Sequence, residues 1–340
     1  MKDILKNSPF FISEIGLNHN GNVKTAEDMI IKSAESGAHA VKFQTFIPEM
    51  MNSIYTKNLL ENGEDRIPDD GVINFLKQFV LSKKELAHLK SVADSEGVIF
   101  FSAPFDMESL EILSELDTPL FKIASSEITN LPLLKAVADT GKPVIISTGM
   151  SSENEISEAL EIFSEKNTDA ALLHCVSLYP TPKENANLRR ISTLKSIFQC
   201  DIGISDHSSE IINSVIAASL GSTIFEKHFI PTSEHECPDA AVSITPELFR
   251  EMTKTVKEVV VRLGDGAVYK KSGEDDVAIA ARRSIFAGRT IKSGEIISMD
   301  MLKFQRPGTG IPVNMLDEIT GRRANRDIEE NKILKEDYLN

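Results

Sequence analysis

At 340 residues, with 41% hydrophobic and 26% charged side chains, the chain has a globular composition that excludes the disordered and fibrous classes. Its formal net charge of −14 is uneven: the first 281 residues carry −16 and the stretch from Arg282 onward carries +2. Such an acidic body excludes nucleic acid and anionic membrane as partners over most of its surface, so an anionic ligand must be held by local lysines, arginines or metal.

From the N-terminus, Lys2, Asp3 and Lys6 precede Pro9 without the apolar core of a signal peptide. No later apolar run approaches the roughly 20 residues of a membrane span. Cys175, Cys200 and Cys237 are too few and too dispersed for a disulfide framework. A cytoplasmic location is the expectation. Short apolar runs rich in β-branched and aromatic residues then predict strands at Phe10–Ile15, Ala40–Gln44, Val98–Ser102, Leu120–Ser125, Val144–Thr148, Ala171–Val176, Asp201–Ser205 and Thr223–Phe229. Segments of helical period lie between them, at Lys24–Ser36, Lys83–Ser95, Asn130–Asp139, Ser152–Ser164 and Ser209–Leu220.

Near-continuous apolar strands alternating with helices imply parallel strands covered by helices, and eight such units close a (β/α)8 TIM barrel. A doubly wound open sheet is the rival. Its dinucleotide fingerprint is absent, since the first strand is followed by Gly16-Leu17-Asn18-His19-Asn20-Gly21. After a helix at Pro246–Leu263 the texture changes to Gly, Lys, Glu and Asp, then to short apolar runs broken by turns such as Pro307-Gly308-Thr309-Gly310. The expected division is a barrel over 1–263, a linker over 264–283 and a small β-rich domain over 284–340.

Polar residues interrupt the apolar rule at the C-terminal strand ends, where barrels carry their catalytic groups. Glu14, Lys42 with Gln44, Lys122, His174, Asp206, His207 and Glu226-Lys227-His228 all fall there. His207 and His228, on neighbouring strands with Glu14 on the adjoining one, offer a mixed nitrogen and oxygen set for a divalent first-row metal. The bland alternative satisfies each histidine with a backbone carbonyl. Lys42 and Lys122 are candidates for a phosphate or carboxylate; the alternatives are buried salt bridges with Glu14 and Glu127, or a Schiff-base lysine of a pyruvate-dependent aldolase. Ser125, Ser147, Thr148 and Ser205 offer hydroxyls for phosphate or sugar oxygens, or ordinary helix caps. His19 in its polar turn suits capping and active-site roles equally. His228, His235, Cys237 and Asp239 lack the spacing of a structural zinc site. Arg306, beside its compact turn, can present a rigid donor fork.

The runs Ile12-Ser13-Glu14-Ile15-Gly16-Leu17-Asn18-His19-Asn20-Gly21, Val41-Lys42-Phe43-Gln44-Thr45-Phe46, Lys122-Ile123-Ala124-Ser125-Ser126-Glu127, Ile204-Ser205-Asp206-His207 and Glu226-Lys227-His228-Phe229 resemble the sialic acid synthase family. Its members condense phosphoenolpyruvate with N-acetylmannosamine or a related acylated amino sugar. The tail, with Ala281-Arg282-Arg283-Ser284 and Arg306-Pro307-Gly308-Thr309-Gly310-Ile311, resembles the family's antifreeze-like (SAF) domain.

The resemblance implies His207 and His228 as ligands of a divalent metal, Mn2+ with Mg2+ or Co2+ as alternatives. It implies Lys42, Lys122 and Ser125 for phosphoenolpyruvate, and Glu14 and Glu127 beside the reacting centre. It also implies a domain-swapped homodimer in which Arg306 reaches the amino sugar of the partner subunit. Ala103 stands where many relatives have a second hydroxyl, and Cys237 where glycine is common. Neuraminic, legionaminic and pseudaminic products all remain open. A carbohydrate-binding protein without catalysis is the competing class, and it gives no reason to gather two lysines, two carboxylates and a histidine pair.

Overall fold

The computed structural model describes residues 9–52 and 71–340, so the N-terminal segment with Lys2, Asp3 and Lys6 lies outside the described residues. The chain divides into two compact units, 1–264 and 265–340. In the first, β1 (Phe10–Gly16), β2 (Ala40–Thr45), β3 (Ile99–Pro104), β4 (Phe121–Ile123), β5 (Val144–Ser147), β6 (Ala170–Cys175), β7 (Asp201–Asp206) and β8 (Ile224–His228) form a closed parallel barrel in sequence order. Closure is made by β1 on β8, with Ile12 opposite Glu226 and Glu14 opposite His228. Helices follow the strands, and their starts are written locally: Ser82 and Glu85 form a reciprocal capping box at Lys83–Ser95, as do Ser152 and Glu155 at Glu153–Glu165.

Strand alternation sorts the side chains. Phe10, Ile12, Ala40, Phe101, Leu120, Ile145, Ala171, Leu173 and Ile224 form a buried cluster inside the barrel. Their in-between neighbours, among them Phe11, Val41, Phe43, Phe100, Phe121, Ile146 and Phe225, pack with the helices in the larger outer core. On β1, β2, β4, β5 and β8 the next inner-face residue is polar (Glu14, Lys42, Lys122, Ser147 and Glu226), so an apolar floor carries a polar mouth.

The expected strands recur with ends shifted by no more than two residues, and β4 is the one that ends two residues early. That strand stops at Ile123, and Ser125–Glu127 turn into a 3-10 helix in which Glu127 N donates to Ala124 O at 3.0 Å. The early exit turns Ser125 toward the mouth and carries Glu127 off it.

Three polar residues expected among the strand-end groups face outward instead. His174 Nε2 pairs with Ala186 O at 2.8 Å. Asp206 and Lys227, directly opposite each other on β7 and β8, form a buried ion pair of 2.7 Å behind the barrel wall. Lys227 also donates to Ser208 O and Oγ, while Asp206 accepts from Ser208 and Asn213. Removing one member of such a pair strands a charge in a low-dielectric site. Lys227→Met is therefore expected to lower stability by about 3–5 kcal/mol, and Asp206→Asn combined with Lys227→Met by clearly less. Denaturant unfolding measures both; a loss under about 1 kcal/mol for the single variant would contradict the stranded-charge account.

The second unit has its own apolar core of Ile285, Ala287, Ile291, Ile297, Ile311, Ile319, Ala324, Ile328, Leu334 and Leu339. Its hairpin pairs β9 (Ser284–Ala287) antiparallel with β10 (Leu302–Gln305). The stretch 264–283, expected as a linker, contains a helix at Glu274–Ala281.

Candidate active site

A cavity of about 250 Å³ opens at the C-terminal ends of the barrel strands. Its charged base, above the apolar floor, comes from one residue on each of four strands, Glu14, Lys42, Lys122 and Glu226. Glu14 on β1 is buried and pairs with Lys42 Nζ on β2 at 2.8 Å, while its other oxygen accepts from Gln44 Nε2 at 2.9 Å. Glu226 on β8 accepts from Ser205 Oγ at 2.9 Å and lies 3.9 Å from Lys42 Nζ. Lys122 on β4 donates to Ser147 Oγ at 2.6 Å and to Ile123 O at 3.0 Å. Among the described residues it has no carboxylate within ion-pair distance.

These neighbours set the charges. Burial raises the Glu14 carboxyl and outweighs the pull of Lys42. For Glu226, burial is outweighed by Lys122 and Lys42, which hold its carboxyl below the ordinary range. Burial likewise works against the Lys42 ammonium, but Glu14 and Glu226 outweigh it and raise its pKa. Lys122 has less compensation, and burial brings it down to about 8. A second anion beside Lys122 would restore the balance.

The rim is built around the two histidines. His207 follows β7 directly, and its ring centroid lies 5.3 Å from that of His228 at the end of β8. His207 Nδ1 donates to Val176 O at 2.8 Å, and Nε2 shares a 2.8 Å hydrogen bond with the Tyr179 hydroxyl. His228 is buried, and its Nδ1 has no hydrogen-bond partner among the described residues. Asp239 Oδ2 stands 3.4 Å from that nitrogen. Burial, followed by the charge of His207, pushes His228 well below the ordinary range; burial raises Asp239 to about 6. No three His, Cys, Asp or Glu side chains among the described residues already converge as a ligand set.

The structure thus gathers Glu14, Lys42, Lys122, Ser125, Ser147, Ser205, His207 and His228 on one cavity. Ser125 Oγ accepts from Gly149 N at 3.0 Å; a Cβ on Gly149 would lie 2.2 Å from Ser177 Oγ, so glycine is required for this close approach. Glu127 is not among the lining residues and instead accepts from Asn130 Nδ2 at 2.9 Å. Of the two expected salt bridges, Lys42–Glu14 forms; Lys122 takes Ser147 in place of Glu127. Arg306 belongs to the second unit and is exposed there. His19 serves the β1 turn: its Nδ1 accepts from Gly21 N at 2.9 Å, and burial lowers it to about 4, so it remains neutral.

Glu226, Cys175, Tyr179 and Asp239 are site residues that the sequence reading did not assign. Glu226 was legible, because it precedes His228 by two and so shares its face. Cys175 follows Leu173 in the same way. Tyr179 and Asp239 come from loops and carry no periodic signal.

Residues 29–268 match the NeuB family and residues 282–339 match the SAF domain. An uncharacterized protein of Methanocaldococcus jannaschii is 40% identical over 331 residues, covering 97% of this chain and 94% of that protein. The N,N'-diacetyllegionaminic acid synthase of Campylobacter jejuni is 34% identical over 328 residues, covering 96% and 98%. The crystal structure of an N-acetylneuraminic acid (sialic acid) synthetase of Leptospira borgpetersenii in complex with citrate superposes with a TM-score of 0.72 at 35% identity, covering 79% of this chain and 89% of that one. With a family match over most of the barrel, and relatives at this identity spanning nearly the whole length, the chain belongs to the NeuB family.

Proposed function

We propose that the protein condenses phosphoenolpyruvate with an N-acylated amino sugar, giving a nonulosonic acid and inorganic phosphate. Membership of a family whose relatives include a legionaminic acid synthase supports this reading. The observation that carries it is Lys122, a buried cation that donates to the Ser147 hydroxyl and the Ile123 carbonyl, with no carboxylate within ion-pair distance among the described residues, opening on the same cavity as the histidine pair. A phosphate or carboxylate supplies the missing countercharge.

His207, His228 and Asp239 suit a divalent ion. The buried, unpartnered Nδ1 of His228 and the adjacent carboxylate form an incomplete polar site that a cation would complete. Mn2+ is our choice, with Mg2+ and Co2+ as alternatives; when bound, the ion supplies a Lewis acid for the sugar's aldehyde oxygen. Lys42 and Lys122 hold the phosphate and carboxylate of phosphoenolpyruvate, aided by Ser125, Ser147 and Ser205. C3 of phosphoenolpyruvate bonds to the aldehyde carbon, whose oxygen takes a proton to become a hydroxyl. The positive charge arising at C2 faces Glu14 and Glu226. Water adds at C2 and loses a proton; the C2–O bond to phosphate then breaks with its electron pair going to the departing phosphate, which takes up the C2 hydroxyl proton, and the ketone remains.

The protein acts in the cytoplasm; no helix among the described residues is long and apolar enough to cross a membrane. It acts as a domain-swapped homodimer with Arg306 serving the partner's amino sugar. A Schiff base on Lys122, which its lowered pKa would favour, is the second reading. Phosphate release assayed over a panel of acetylated mono- and diamino sugars tests the first. Omitting the sugar or the divalent ion should cut the rate at least about a hundredfold. Release without sugar, or full turnover after chelation, would refute the condensation or its metal dependence respectively, and a borohydride-trapped adduct on Lys122 would favour the imine.

A further inference from the structure

Ser284 opens β9 and is wholly buried in the second unit. Its hydroxyl spans the turn after Arg306, donating to Pro307 O at 2.8 Å and accepting from Gly310 N at 2.9 Å. Among the described residues these are the only side-chain hydrogen bonds to the turn. Backbone contacts complete the clamp, with Gly308 N donating to Ile279 O at 2.7 Å. Close packing restricts the rest: a Cβ on Gly310 would come within 2.3 Å of Ile333 Cγ1, and one on Gly308 within 3.0 Å of Arg282 Cβ.

Arg306 is exposed at the edge of this rigid turn, with no hydrogen-bond or ion-pair partner among the described residues. A long side chain loses less freedom on binding when its backbone is already fixed, and a displaced donor fork loses both direction and reach. We infer that Ser284 is a positioning residue that fixes the Arg306 backbone so that the guanidinium meets the acyl and hydroxyl oxygens of the amino sugar. This rests on the role proposed above for Arg306.

The test compares full-length Ser284→Ala, the nearly isosteric Ser284→Cys and Arg306→Ala, each checked by thermal unfolding. Ser284→Cys keeps the buried volume and carries the test if the alanine variant fails to fold. Each Ser284 variant should raise KM for the amino sugar about tenfold and leave KM for phosphoenolpyruvate within about twofold. A merely structural serine would reduce the amount of active protein with both KM values unchanged. That outcome, alongside a raised sugar KM in Arg306→Ala, would overturn the inference and leave the Arg306 role standing. An unchanged sugar KM in Arg306→Ala would remove both.

Discussion

Replacing His228 with alanine is expected to lower the rate of phosphate release at least about a thousandfold while leaving the fold intact. The two halves of that expectation have separate physical origins. Burial and the neighbouring His207 hold His228 well below the ordinary imidazole range, so the ring is a neutral nitrogen donor and not a counterion for Glu14 or Glu226. Its Nδ1 is buried without a hydrogen-bond partner and faces Asp239 at 3.4 Å. Such a nitrogen adds nothing to stability until a ligand completes it, so its removal forfeits binding and chemistry more than folding. Mn2+ affinity, measured by calorimetry, should fall with activity, while the melting temperature stays within about 5 °C of the parent. Retained affinity with lost turnover would move His228 from metal ligation to another step, and retained turnover would remove it from the mechanism.

How much of this site was legible follows from the strand period. Glu14, Lys42, Lys122, Ser205 and His228 end inner-face series that begin with apolar floor residues such as Phe10, Ile12, Ala40, Leu120 and Ile224. Read by alternation, Glu226 belongs with His228, while Asp206 and Lys227 fall on the opposite face, where the structure pairs them. Treating all strand-end polar residues alike obscured that division. Glu127 lies off the cavity lining for a different reason: β4 ends at Ile123, and the following 3-10 turn resets the direction in which each side chain projects. Asp239 and Tyr179 were beyond any periodic reading. The loop after β8 is tied down from afar, by the Asn18 side chain donating to Phe229 O and Ser243 Oγ and accepting from Asp239 N. Such tertiary hydrogen bonds across more than two hundred residues leave no local pattern.

Mixing Arg306→Ala with His207→Ala, at an amino-sugar concentration far below the raised KM of the arginine variant so that neither turns over appreciably alone, is expected to restore activity if the arginine is supplied by the partner subunit. His207 lines the barrel cavity, with its Nδ1 held by Val176 O and its Nε2 by Tyr179, whereas Arg306 belongs to the other compact unit of the chain. The sign of the charge division, −16 for the first 281 residues and +2 for the remainder, favours association of a tail with an acidic body but is indifferent to which subunit provides it. Subunit exchange removes that indifference. In a swapped heterodimer, one mouth combines both defects and the other combines an intact His207 with an intact Arg306. Equal mixing and random exchange make half of the dimers heterodimeric, so about one quarter of all mouths, and about one quarter of parental activity, should return. If each chain instead serves its own mouth, every mouth in the heterodimer lacks either His207 or Arg306, and no activity returns. Mass spectrometry of the intact dimers, with one variant isotopically labelled, verifies that exchange took place. Heterodimers present without recovered phosphate release would rule out the trans arrangement, and recovery would establish that the second unit of one subunit completes the active site of the other.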